Sequence, residues 1–112
     1  MPFERINAYR IMWLFVFFDL PTNTKKERHD AARFRNMLEK DGFQMMQYSV
    51  YIRHCVSREN LDMHMRKVEA LIPEEGYVCM SSITDKQFSD IRNYWNHQVV
   101  KEDRTPSLIE FY

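Results

Sequence analysis

The run Ile11-Met12-Trp13-Leu14-Phe15-Val16-Phe17-Phe18, closed by Asp19-Leu20-Pro21, constrains this chain more than any other stretch. It is apolar at every position, rich in aromatic and β-branched residues, and far shorter than the roughly 20 residues a membrane span needs. Such a run reads as a central β-strand covered on both faces, where residues of both alternating sets must leave water. Asp19-Leu20-Pro21 then ends it, because proline has no N–H to give a strand ladder.

The remaining pattern fills in around that strand. Thr24 and Glu27 form a capping box, each side chain answering an unpaired backbone N–H at a helix start. Ala31, Phe34 and Leu38 follow at helical spacing, and Gly42 supplies the stop, so a helix is expected over about 25–41. Alternation over Phe43–Cys55 gives two short strands meeting near Ser49. Ser57 caps a second helix with Leu61, Met65, Val68 and Ile72 on its stripe, ended by Pro73 and Gly76. Tyr77–Ile83 is another strand. Thr84 and Gln87 open a short helix reaching towards Tyr94. Residues 96–107 are polar and read as an arm, and Leu108–Tyr112 as an apolar terminal strand.

Strand, helix, strand, strand, helix, strand is the split βαβ order of an α+β, ferredoxin-like βαββαβ domain: a four-stranded antiparallel sheet with two helices on one face. We therefore expect one domain over residues 1–95 and a C-terminal arm with an edge strand over 96–112. The first strand is apolar on its second face too, and no third helix is long enough to cover that face. The expected cover is a second copy of the chain, making a homodimer.

Charge and cysteine content limit what such a domain does. Lys plus Arg total 16 and Asp plus Glu total 16, a balance that argues against an autonomous binder of nucleic acid. Cys55 and Cys79 form no Cys-x-x-Cys pair and read as buried, reduced thiols in a cytoplasmic protein. His29, His54, His64 and His97 lack zinc-finger spacing, and no glycine-rich phosphate loop is present.

Asp19 is the sharpest candidate for chemistry. An acid in an Asp-x-Pro turn ordinarily bonds nearby backbone amides. In a two-fold dimer, two copies of Asp19 would instead meet at the strand ends and attract a hard cation such as Mg²⁺, which activates water and stabilises a phosphodiester leaving group. Asp30, Glu39, Asp41, Glu59, Asp62 and Glu69 read as solvated helix charges. Lys25, Lys26, Arg28, Arg33 and Arg35 crowd the first helix: either an ordinary charged face, given the interspersed acids, or a ridge for phosphates that Arg53 would extend. His54 is either a proton shuttle or a structural histidine.

Several of these segments together resemble one family. Leu14-Phe15-Val16-Phe17-Phe18-Asp19-Leu20-Pro21-Thr22 is similar to the first strand and acidic turn of the small CRISPR-associated adaptation protein called Cas-two. Phe34-Arg35-Asn36-Met37-Leu38 with Asp41-Gly42-Phe43 resembles that family's first helix and its exit. Gln47-Tyr48-Ser49-Val50-Tyr51 and Ile83-Thr84-Asp85-Lys86-Gln87-Phe88 resemble its later strands. The resemblance runs from about Arg10 to Ile91, with Leu108–Tyr112 similar to a partner-crossing strand. The Phe-Phe-Asp-Leu-Pro-Thr wording looks most like versions found beside Cas9-type systems.

The resemblance implies a ferredoxin-like homodimer whose Asp19 is a Mg²⁺ ligand in a phosphodiesterase site acting on RNA or DNA. It also implies a scaffold that holds duplex DNA between dimers of the CRISPR integrase during spacer acquisition. Such a shared grip is compatible with zero net charge, and the acidic Glu102, Asp103 and Glu110 would face the partner. A free-standing metal-dependent endoribonuclease resembling toxin families, and a non-enzymatic regulatory module, are the alternatives.

Overall fold

A computed structural model describes residues 11–100; the expected terminal strand at 108–112, the acidic residues after 101 and the segment before Ile11 lie outside them. The chain folds as an α+β domain of ferredoxin-like form. Four strands, β1 (Met12–Asp19), β2 (Gln44–Gln47), β3 (Val50–Cys55) and β4 (Tyr77–Thr84), make an antiparallel sheet in the order β2-β3-β1-β4. The apolar run is central, as its composition requires: Phe15 pairs with Ile52 on one side and with Ser81 on the other.

Alternation divides β1 between two cores. Met12, Leu14, Val16 and Phe18 point to the helical face, where α1 (Lys25–Lys40) contributes Phe34 and Leu38 and α2 (Arg58–Leu71) contributes Leu61 and Val68. Both capping boxes form, Thr24 with Glu27 and Thr84 with Gln87. The first helix stops one residue short of expectation, at Lys40, because Asp41 leaves helical geometry as its cap. On α2 the buried stripe is Leu61, His64 and Val68. Ile72 is a cap residue with substantial exposure rather than a stripe member.

Trp13, Phe15 and Ile52 occupy the opposite sheet face. Here the expectation that only a second copy covers this face needs correction. The short helix α3 (Asp85–Ser89) folds back so that Phe88 stacks on Trp13, with ring centroids 4.0 Å apart and planes 12° apart; Ile91 packs alongside. The indole Nε1 donates to Asp85 Oδ1 at 2.7 Å, anchoring the helix. Among the described residues this cover reaches only half the face. Phe17 is 39% exposed and Tyr77, with which Asp19 is in register, is 69% exposed.

Two further expectations change. The short helix ends at Ser89, well before Tyr94, and residues 96–99, expected to begin the arm, belong instead to a hairpin. Tyr94–Trp95 and Gln98–Val99 pair as β5 and β6 around Asn96 and His97, both at positive φ, the signature of a type I′ turn. Cys79 is exposed, not buried: it faces the uncovered half of the sheet opposite Phe17, whereas Cys55 is buried as expected.

Candidate functional site

The site is built where β1 runs out. Asp19 lies two residues after Phe17 on the same sheet face, so its carboxylate emerges on the uncovered half and is exposed. Its backbone is clamped by the residue that leads into β4. Gly76 has φ +105°, and a Cβ there would lie 2.7 Å from Leu20 Cδ2 and 3.0 Å from the Asp19 carbonyl oxygen. Only glycine accepts both that φ and that approach without displacement. Beyond the turn, Glu27 Oε1 accepts from the N–H groups of Asn23 and Thr24, each at 2.9 Å. Arg28 Nη1 donates to the carbonyls of Thr22 at 3.1 Å and Asn23 at 3.3 Å. Asp19 thus sits on a fixed backbone, its side chain exposed and without a bonding partner among the described residues.

The β2–β3 turn closes on the same strand end from the helical side. Ser49 adopts φ 65°, its carbonyl accepts from the Phe18 N–H at 3.1 Å, and its hydroxyl accepts from Arg35 Nη2 at 3.2 Å. The Arg35 guanidinium lies between two rings, 5.3 Å from the Phe18 centroid and 4.6 Å from that of Tyr48.

The six cations singled out in the sequence therefore do different things. Lys25 and Arg33 are exposed on α1, and neither forms an ion pair among the described residues; Lys26 is exposed and pairs with Asp30 at 2.9 Å. That pairing raises the Lys26 pKa, through its hydrogen bond and charge attraction to Asp30. Arg28 is bound to the loop after Asp19, and Arg35 is stacked. Arg53 donates to the carbonyls of Asp41 at 2.7 Å and His54 at 2.6 Å, so it braces the end of α1.

Asp41 was expected to be a solvated helix charge, and the structure corrects this. Its Oδ2 lies 2.7 Å from Nδ1 of His64, which is 3% exposed, and its Oδ1 accepts from Lys67 at 3.3 Å. The one sequence signal for this cluster is the place of His64 on the α2 stripe, three residues after Leu61 and four before Val68. His54, against the edge of Trp13, has its pKa lowered, chiefly by burial, with Arg53 adding to the effect and Asp85 opposing it.

Among the described residues no group of three or more His, Cys, Asp or Glu side chains converges as a metal cage. At the open end of β1 the chain offers the exposed carboxylate of Asp19. That donor suits Mg²⁺, which binds through one or two carboxylates and keeps its waters.

Comparison with known proteins adds a family to this geometry. A family model described as CRISPR associated protein Cas2 matches residues 12–91. The chain is 43% identical over 110 residues to the CRISPR-associated endoribonuclease Cas2 of Flavobacterium psychrophilum, covering 98% of this chain and 96% of that one. It is 45% identical over 101 residues to the protein of the same name from Parvibaculum lavamentivorans, covering 90% and 100%. With that of Paracidovorax avenae it shares 38% identity over 107 residues, covering 96% and 99%.

Proposed function

This chain belongs to the CRISPR-associated Cas2 family, and on that footing we propose that it works as a homodimeric subunit of spacer acquisition with a Mg²⁺-dependent phosphodiesterase centre at Asp19. The observation that carries the reading is the position of Asp19: an exposed carboxylate on a clamped backbone, beside the half of the sheet face that the described residues leave uncovered. A second copy laid over Phe17 and Tyr77 would bury that apolar surface and bring a second Asp19 to the first. Mg²⁺ held by the pair would supply electrophilic stabilisation to a phosphodiester. The protein's own part is to fix the two carboxylates and exclude bulk water around them.

The relatives' printed name makes RNA the first substrate to test. Single-stranded RNA should be cut by the full chain with Mg²⁺ and left intact by Asp19→Asn; equal cleavage by that variant would remove Asp19 from the chemistry. Duplex DNA shared with the CRISPR integrase is the second activity we propose, resting on the outward cations of α1. Lys25, Lys26 and Arg33 would meet phosphates directly, while Arg28, Arg35 and Arg53 add positive field from anchored positions. The C-terminal segment 96–112, which begins within the 94–99 hairpin, is proposed to reach the partner. The setting is cytoplasmic, as expected of a nucleic-acid partner beside a repeat array; no described helix is long and apolar enough to cross a membrane.

A further inference from the structure

Tyr48 stands at the tip of the β2–β3 turn and is 74% exposed, yet its ring is not loose. The Arg35 guanidinium lies 4.6 Å from its centroid, well within cation–π range, and is itself backed by Phe18 and tied to Ser49 Oγ. Arg35 Nε is buried without a hydrogen-bond partner, so the cation is held in this slot at some cost in lost hydration. The Tyr48 hydroxyl makes no hydrogen bond among the described residues. An aromatic ring with one face braced by a cation and the rest open to water contributes little to this core. It is, however, a preorganised flat surface.

We propose that Tyr48 is a stacking platform for an unpaired nucleobase of a single-stranded nucleic acid. Every base has a π-face, so such a platform selects unpaired strands over duplexes without reading sequence. Its place fits that role. The Ser49 carbonyl is bonded to the N–H of Phe18, the residue before Asp19, so the platform and the carboxylate share the end of β1, one on the helical side and the other on the open side. A strand crossing that end would present a base to Tyr48 and its phosphates towards Asp19. This location rests on the phosphodiesterase reading above, but the base contact itself is measurable without cleavage.

Binding of the full-length protein to a short fluorescent oligoadenylate RNA and to its abasic counterpart, both in EDTA, tests the proposal. The wild type should prefer the base-bearing strand by about tenfold, from a stacking contribution of the usual size. Tyr48→Ala and Tyr48→Leu should lose that preference, and Tyr48→Phe and Tyr48→Trp should keep it. Equal affinity of the wild type for the two strands, failure to bind either, or a preference retained in Tyr48→Ala would each overturn it. Since Tyr48 is exposed, unchanged melting of the variants separates lost stacking from lost fold. Mg²⁺-dependent cleavage without a base preference would leave Asp19 standing and remove Tyr48. A base preference without cleavage would do the reverse.

Discussion

The two halves of one sheet face, on one strand, meet different fates. Around Trp13 the face is closed by the chain itself: Phe88 stacks on the indole, Ile91 packs beside it, and Asp85 takes the indole N–H. Around Phe17 and Asp19, four and six residues further on, the same face is open, with Tyr77 and Cys79 exposed beside them. The difference comes from the length of α3. A helix ending at Ser89 covers one half and no more. Stability is built into the closed half, and the open half keeps an apolar surface next to a charge.

That contrast can be broken by substitution. The largest effect is expected in the closed half, where Trp13→Ala removes a buried ring and should lower unfolding free energy by about 3–5 kcal/mol in urea titration. Next come the two aspartates. Asp41→Ala should cost about 1–3 kcal/mol by leaving buried His64 without its partner, whereas Asp19→Asn should stay within about 0.5 kcal/mol of the parent, as surface changes do. Equal losses at the two acids would erase the distinction between a structural and a functional carboxylate.

Gly76→Ala tests the clamp on the open half. A positive φ and a Cβ 2.7 Å from Leu20 should cost about 1–3 kcal/mol. The variant should also depress Mg²⁺-dependent RNA cleavage more than an equally destabilising core variant such as Ile52→Val. A drop no larger than that of the core variant would mean the clamp does not position Asp19.

The smallest expected effect is on pH dependence. Burial lowers the His54 pKa in the folded protein, so near and below the ordinary histidine value of 6.5 the unfolded chain binds a proton that the folded chain resists. Stability should therefore rise as pH climbs through that region and level off above it. His54→Phe should flatten this part of the plot of stability against pH; an unchanged slope would assign it to other groups.

Local signals explain what was legible in the sequence. Thr24 with Glu27 and Thr84 with Gln87 act over three residues, so both caps are readable, as is the unbroken apolar run that makes β1 central. Non-local geometry hid the rest. Asp41 and His64 are 23 positions apart, and no spacing rule pairs them. Arg53 reads in the sequence as an extension of a phosphate ridge, whereas its guanidinium is bound to the carbonyls of Asp41 and His54. The hairpin at 94–99 was missed because Asn96-His97 takes the positive φ values usually announced by glycine. The place of Asp19 at the end of β1 is legible because a single acid ending an apolar strand is conspicuous; the Gly76 clamp beneath it depends on β4 arriving from nearly sixty residues away.

The open half is best tested by sedimentation equilibrium of the full chain at micromolar concentration, with Phe17→Glu measured beside it. The wild type should sediment at twice the chain mass, and Phe17→Glu at the chain mass with unchanged far-UV circular dichroism. A monomeric wild type, or a Phe17→Glu variant that remains dimeric, would contradict the assignment of this face to a second copy.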